Sequence, residues 1–551
     1  MRAFSIKETG PGPIISALYQ QLGLRETINN TLIWDEKQCQ LDPGTHVLAL
    51  IINILCGRTP LYRVEEFFDE QDVELLFGTG VNNEHFNDDA LGRTLDKIYA
   101  AGAKKVFSAV ALQARIKENI DYRILHGDTT ARLVYGAYPN EDGLNITKGY
   151  NREHRTDLKQ YKIGLVATEE GFPLLGEILD GNLDDKTWNK QLLANLPDHF
   201  TVEELEKIIY VVDSAAVTQT NLELIQEHNL KFISRLPATF SLASELIEKA
   251  FASRGWTELG QVSPGKKKAS YRVQVFTEDL YGREYRFVVV HSSHLDKRKL
   301  KGLQTRLKGQ KEDLEKAARK IMGQTFACEA DAKDALLRFQ KEKGSRFYPL
   351  TGTVEKSQEK VKRRRRGRPS KGEKVEYREV YRIKIHVGEL DEEAVQQETE
   401  RLGCFVLITN LSDDYSAHFI LKEYKEQTVV ENRFKFVKHP LYVGPLYVQK
   451  KERLEALCYV ILMALVVYII LQRRVRLALK KETEPLLLPG KKKSFEPTGN
   501  MILELFRPVK ILYLIEDGVI KRYLPEQYNR LHRALQLIGF GMNIFVEPGA
   551  P

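Results

Sequence analysis

Three acids stand in an order and a setting suited to phosphodiester chemistry: Asp128, Asp213 and Glu431. Asp213 ends the apolar run Ile208 to Val212, which reads as a buried strand. Asp128 follows Ile124-Leu125-His126-Gly127, also strand-like, and Glu431 lies in the segment Tyr424 to Lys438, which reads as a helix. Two carboxylates at strand ends and a third on a late helix can converge on a pair of divalent metals, and such a pair cuts and joins phosphodiester bonds. The order alone carries little weight in a chain with 75 Asp and Glu. The context of each acid must supply the rest.

Around Glu431 that context is a spacing. Tyr424, Gln427, Glu431 and Lys438 fall at i, i+3, i+7 and i+14. On an unbroken helix they project within about 60° of one another. One face would present a phenol, an amide, a carboxylate and an ammonium. A solvated polar stripe has the same spacing.

The elements that must position these groups follow from periodicity. Residues 121–237 alternate strands (Tyr122 to His126, Arg132 to Tyr138, Tyr161 to Thr168, Pro173 to Leu179, Ile208 to Asp213, Lys231 to Arg235) with helices (Thr187 to Leu196, Thr218 to His228). In open α/β sheets, sites form at the carboxyl ends of strands. Residues 1–120 read as mainly helical, with a helix start at Pro43-Gly44-Thr45. The acidic stretch Glu65 to Glu74 would repel DNA, so it is expected to face protein or solvent. Residues 238–415 interrupt the pattern and read as an inserted domain. It holds strands Tyr271 to Phe276, Tyr285 to His291, Tyr377 to His386 and Cys404 to Thr409, with a charged helix from about Leu295 to Met322. Long helices return over 416–480, and 481–551 form a tail unit.

Length, charge and cysteines bound the class. The chain has 551 residues, is 42% hydrophobic and 29% charged, and carries a net charge of +8. Five scattered cysteines without a CxxC pair argue against a disulfide framework or zinc site and for a reducing compartment. The N-terminal MRAFSIKETGPGP has no signal-peptide pattern. The uncharged run Ala456 to Gln472 is at the short limit for a membrane span. A helix buried in a large core explains it more simply, so no membrane partner is expected.

The charge is uneven. Residues 1–120 hold 12 Lys/Arg and 16 Asp/Glu, whereas residues 341–385 hold 16 and 6. Such concentration points to a polyanion, most simply nucleic acid. At its centre, in the basic segment 359–375, is RRRRGRPS. Arg366-Gly367-Arg368-Pro369 resembles an AT-hook core, in which Arg366 and Arg368 enter a narrow minor groove. A basic loop gripping phosphates without sequence preference fits equally. His291-x2-His294 has metal-ligand spacing but no further ligand nearby, and Trp256 reads as core packing rather than a base-stacking platform.

The fuller text around these residues resembles one family. Tyr424-x2-Gln427-x3-Glu431-x6-Lys438 is similar to the Tyr-x2-Arg-x3-Glu-x6-Lys signature of a group of DDE-type insertion-sequence transposases, with Gln427 in place of the usual Arg. HGDTT at 126–130, YNREHRTDLKQYKIGL at 150–165 and VVDSAAVTQTNL at 211–222 resemble the same group. So does the stretch from LGLRETINN to LYRVEEFFDEQDVELLFG. The resemblance implies an α/β fold: a ribonuclease-H-like catalytic domain interrupted by an insertion domain, with an N-terminal mainly helical domain. It implies that Asp128, Asp213 and Glu431 hold two Mg²⁺ ions, with Mn²⁺ as a substitute. Tyr424, Gln427, Lys438, Arg433, Arg152 and Arg155 are then expected to contact DNA. The implied activity is a DNA transposase cutting element ends and joining them to target. A catalytically inactive DNA-binding descendant and a nuclease of the same fold are the alternatives. Double-stranded DNA is the expected partner, the acting form a homodimer on it, and the location the prokaryotic cytoplasm, at the nucleoid.

Overall fold

In a computed structural model of the chain the apolar run Ala456 to Gln472 forms the middle of the helix Lys451–Leu479, and every residue of the run is buried. The helix is long and apolar enough to cross a membrane by composition. Here its covering is protein: the helices Asp88–Ala100 and Ala103–Glu118 and the strand Pro173–Leu179 pack on it. Full burial of each large apolar side chain is worth about 1.5–3 kcal/mol, so one such helix organises a large core. Its polar end is held by ion pairs, Arg474 to Glu118 at 2.6 Å and Arg473 to Glu170 at 2.5 Å.

The structure describes residues 3–139, 143–151, 153, 155–262, 269–295, 297–361, 376–438, 448–516 and 519–549. Arg152, Arg366, Arg368 and most of the basic segment 359–375 lie outside them. The chain divides into two units, Met1–Arg235 with Thr409–Pro551, and Leu236–Ile408. The fold is mixed α/β with a helical N-terminal region.

Five strands of the first unit lie side by side in the order β3-β2-β1-β4-β5, where β1 is Ile124–Val134, β2 Lys159–Thr168, β3 Pro173–Leu179, β4 Ile209–Val212 and β5 Lys231–Arg235. β1, β2 and β3 pair antiparallel, whereas β1, β4 and β5 run parallel. A parallel strand is covered on both faces, which is why Ile209-Tyr210-Val211-Val212 is apolar throughout and wholly buried. The helix Gln219–Glu227, capped by Thr218, makes the crossover from β4 to β5. One expectation is corrected. The sequence divides β1 into two strands at its polar centre, yet the backbone pairs with β2 without a break from Leu125↔Thr168 to Val134↔Lys159. The ladder, not local apolar content, sets the strand's length, and Asp128 lies inside β1 rather than after it.

Several helices of the N-terminal region carry side-chain caps. Asp42 accepts the Thr45 amide at 2.9 Å to cap the helix Pro43–Ile52 and takes an ion pair from Arg25 at 2.6 Å. The acidic stretch is less solvent-facing than its composition suggests. Asp72 is 1% exposed and is met by Arg522, itself 5% exposed. Arg522 belongs to the tail, whose strand Lys510–Glu516 pairs antiparallel with both Ala3–Glu8 and Val519–Tyr523.

In the second unit the strands Cys404–Thr409, Arg283–Ser292, Tyr271–Leu280 and Thr257–Gly260 lie in that order. A separate ribbon pairs Leu350–Lys360 with Tyr377–Val387. The helix Lys297–Met322 buries Leu303, Leu307, Leu314 and Ala318 and packs on the ribbon. Trp256 packs against Phe251, with the Arg272 guanidinium 4.9 Å above its ring, and the His291 ring lies 6.2 Å away.

Candidate active site

The parallel ladder between β1 and β4 ends at the pair Gly127↔Val212. The next residue along each chain is an aspartate, so Asp128, inside β1, stands beside Asp213, which follows β4. Both are half-exposed. Asp128 accepts the Thr129 amide at 2.8 Å. Asp213 accepts the Ala215 amide at 3.0 Å, capping the short turn Ser214–Ala216, and its carbonyl accepts the Ser234 hydroxyl from β5 at 2.9 Å. Beneath the pair lies Tyr210. Burial, then the charges of Asp213 and Asp128, push its phenol well above the usual range. Its hydroxyl donates to Asn189 at 2.9 Å. Gly127 is required here: a Cβ would come within 2.7–2.8 Å of the Tyr210 ring.

Glu431 arrives from the other side of the sequence. The helix Ala417–Glu426, capped by Ser416, packs on β4 and β5, and the helix Thr428–Lys438 packs on β1 and β2. This corrects the expectation of one helix from Tyr424 to Lys438. The helix breaks at Gln427, because its two halves follow different strand pairs. Tyr424 sits before the break and links the acids. Burial raises its phenol pKa first; Asp213 and Glu431 add to the rise, while the Arg235 charge and a hydrogen bond with Arg235 oppose it. The phenol therefore stays neutral, within electrostatic reach of Asp213, Glu431 and Arg235.

The other expected contacts divide. Glu431 is exposed and Gln427 half-buried at the break. Lys438 is the last residue of its helix. Arg155 is exposed and paired with Asp157 at 2.7 Å. Arg433 is a correction. It is buried, and its guanidinium donates to the carbonyls of Gly171 at 2.9 Å and Glu170 at 3.1 Å. Burial lowers its pKa to about 10. It closes the turn between β2 and β3. Two residues from Glu431, it lies on the opposite side of the helix.

Arg235 was not anticipated; it ends β5 as Asp213 follows β4, a signal present in the strand pattern. Nor was a second carboxylate group. Glu169, Glu423 and Glu426 lie within 4.8 Å of one another, the one such trio among the described residues. The Lys422 ammonium fills it, at 2.9 Å from Glu423 and 3.6 Å from each of the others. Asp128, Asp213 and Glu431 are not drawn that close. Carboxylates that bracket two ions about 3.5–4 Å apart stand farther apart than carboxylates sharing one. Three oxygen donors at a solvent-reachable end of a sheet suit a hard cation such as Mg²⁺.

A family model described as "Transposase DDE domain" matches residues 140–467, more than half of the chain. The chain belongs to the DDE transposase family. Asp213 and Glu431 lie inside the matched range of this DDE transposase and Asp128 ahead of it. A second model, described as a domain of unknown function (DUF4277), matches residues 5–112. Among solved structures, the chain is similar to a piggyBac transposase synaptic complex with hairpin DNA at 8% identity and a TM-score of 0.36, covering 92% of this chain and 82% of that one. It is also similar to a pre-cleavage Mos1 transpososome at 14% identity and a TM-score of 0.15, covering 35% and 63%. No curated protein matches the chain.

Proposed function

We propose that this DDE transposase cuts DNA at the ends of its element and joins the freed 3′-hydroxyls to target DNA, at a site made by Asp128, Asp213 and Glu431. The observation that carries the reading is the ladder end at Gly127↔Val212, which sets two aspartates on adjacent parallel strands. The order β3-β2-β1-β4-β5, antiparallel then parallel, supports a ribonuclease-H-like catalytic domain interrupted by an insertion over 238–415.

Asp128, Asp213 and Glu431 would together hold the metal. A bound pair of Mg²⁺ ions, or Mn²⁺ in their place, supplies the Lewis acidity that activates the attacking oxygen and stabilises the leaving one. The chain's other groups position the strand. The Tyr424 phenol, held neutral, donates to a phosphate oxygen beside Arg235. Gln427 offers an amide where relatives of this signature carry Arg. Lys438, two turns beyond Glu431 and about 10 Å along the axis, meets a further phosphate. Arg155, Arg152, Arg366 and Arg368 contribute charge along the DNA, and two copies of the chain act together on paired ends.

The test uses labelled element-end duplexes and a supercoiled target. The wild-type chain should nick and join in Mg²⁺. Asp128→Ala, Asp213→Ala and Glu431→Ala should each bind ends and leave them uncut. Cutting at the wild-type rate in any one variant removes that residue from the site.

A further inference from the structure

The helix Lys297–Met322 of the second unit has a charge distribution that its own fold does not call for. Residues 297–311 hold seven Lys and Arg and no Asp or Glu. Cations at a helix N-terminus oppose the helix dipole, and like charges four residues apart repel. Lys297, Arg298, Lys299 and Lys301 do the first, and Lys297 with Lys301 also does the second. Part of the charge is used internally: Arg306 pairs with Glu398 at 2.8 Å, Lys311 with Glu389 at 3.7 Å, and Lys299 donates to the Leu402 carbonyl at 2.7 Å.

Lys297, Lys301 and Lys308 are different. They are exposed, and none has an ion pair among the described residues. At i, i+4 and i+11 they project within about 40° of one another, along about 16 Å of helix. The helix buries Leu303, Leu307, Leu314 and Ala318 on another side. Beyond the lysines on the outward arc lie Gly302 and Gly309, one heptad apart, and a Cβ on either would meet nothing within 4 Å. Glycine weakens a helix interior, and among the described residues no neighbour requires it at these two positions. What glycine permits is close approach of another backbone. A row of unpaired ammoniums beside a bare stretch of helix fits a polyphosphate backbone.

We propose that the face formed by Lys297, Lys301 and Lys308, with Gly302 and Gly309 at its edge, is a docking surface for the phosphate backbone of duplex DNA. The inference rests on the DNA transposase reading and gives the second unit a defined contact outside the basic segment 359–375. Contacts of this kind bind without base specificity.

The experiment measures binding of the full chain to a fluorescent duplex of random sequence over a range of salt concentrations. Each phosphate contact contributes about 0.9 to the log–log slope. The variant K297A/K301A/K308A should therefore flatten the slope by about 2–3, and K297R/K301R/K308R should keep it. In the wild-type chain, duplex should also protect the three lysines from amine acetylation, read by mass spectrometry. An unchanged slope in the alanine variant, or unprotected lysines in the wild-type complex, overturns the proposal. A wild-type chain with no salt-dependent binding to duplex overturns the transposase reading itself, which is a separate result.

Discussion

Asp128 and Asp213 follow the last hydrogen-bonded pair of two adjacent parallel strands, Gly127 and Val212. Neither residue has a positive φ. The sheet register alone makes them neighbours, and Tyr210 beneath them senses both charges.

That register depends on a missing methyl group. In Gly127→Ala the added Cβ meets the Tyr210 ring, which is fully buried and anchored to Asn189. Overpacking of this kind costs about 1–3 kcal/mol, and relief by moving β1 displaces Asp128. The variant should unfold at lower temperature and lose DNA cutting. Tyr210→Val in the same chain should restore part of the melting temperature. Wild-type cutting by Gly127→Ala would show that Asp128 does not need this register.

Arg433 provides a sharp test because spacing and structure disagree about it. Its loss orphans the buried Gly171 carbonyl, at about 1–3 kcal/mol, and removes the donor to the part-buried Glu170 carbonyl. Arg433→Ala should lower the urea midpoint and leave the salt dependence of DNA binding unchanged. A flattened slope with stability intact would return Arg433 to the DNA-contacting set.

Much of the first unit is legible from residue types. The runs Pro173–Leu179 and Lys231–Arg235 are strands with the bounds that their apolar content gives. The buried helix over Ala456 to Gln472 follows from composition alone. What is illegible is set by distant partners. Glu426-Gln427-Thr428 contains no helix breaker, and the break there comes from packing on two strand pairs. Asp72 looks like one more surface acid until Arg522, 450 residues away, covers it. The charge of Arg433 gives no hint that its helix turns it inward.

Asp42 sets an acid limit on stability. Burial pushes its carboxyl up, but hydrogen bonds from Arg25, Asn29 and Thr45, with the Arg25 charge, outweigh burial and hold it at about 2. A folded pKa below the unfolded value of about 3.9 stabilises the fold above that value. That contribution is lost as pH falls from about 4 through about 2. Asp42→Ala should cost about 2–4 kcal/mol at neutral pH, from the lost cap and the orphaned Arg25. The gap between the urea midpoints of variant and wild type should close across that acid window. A gap that stays constant down to the lowest pH would contradict the ion-pair assignment.

The most direct test of the central claim locates the metal without mutation. Fe²⁺ with ascorbate and peroxide, bound in place of Mg²⁺, cleaves the polypeptide next to its ligands, and mass spectrometry reads the fragments. The account predicts scission near residues 128, 213 and 431 together, suppressed by excess Mg²⁺. Scission confined to Glu169 and the Glu423 to Glu426 segment, with none near 128 or 213, would place the metal in the Lys422-filled cluster and contradict the account.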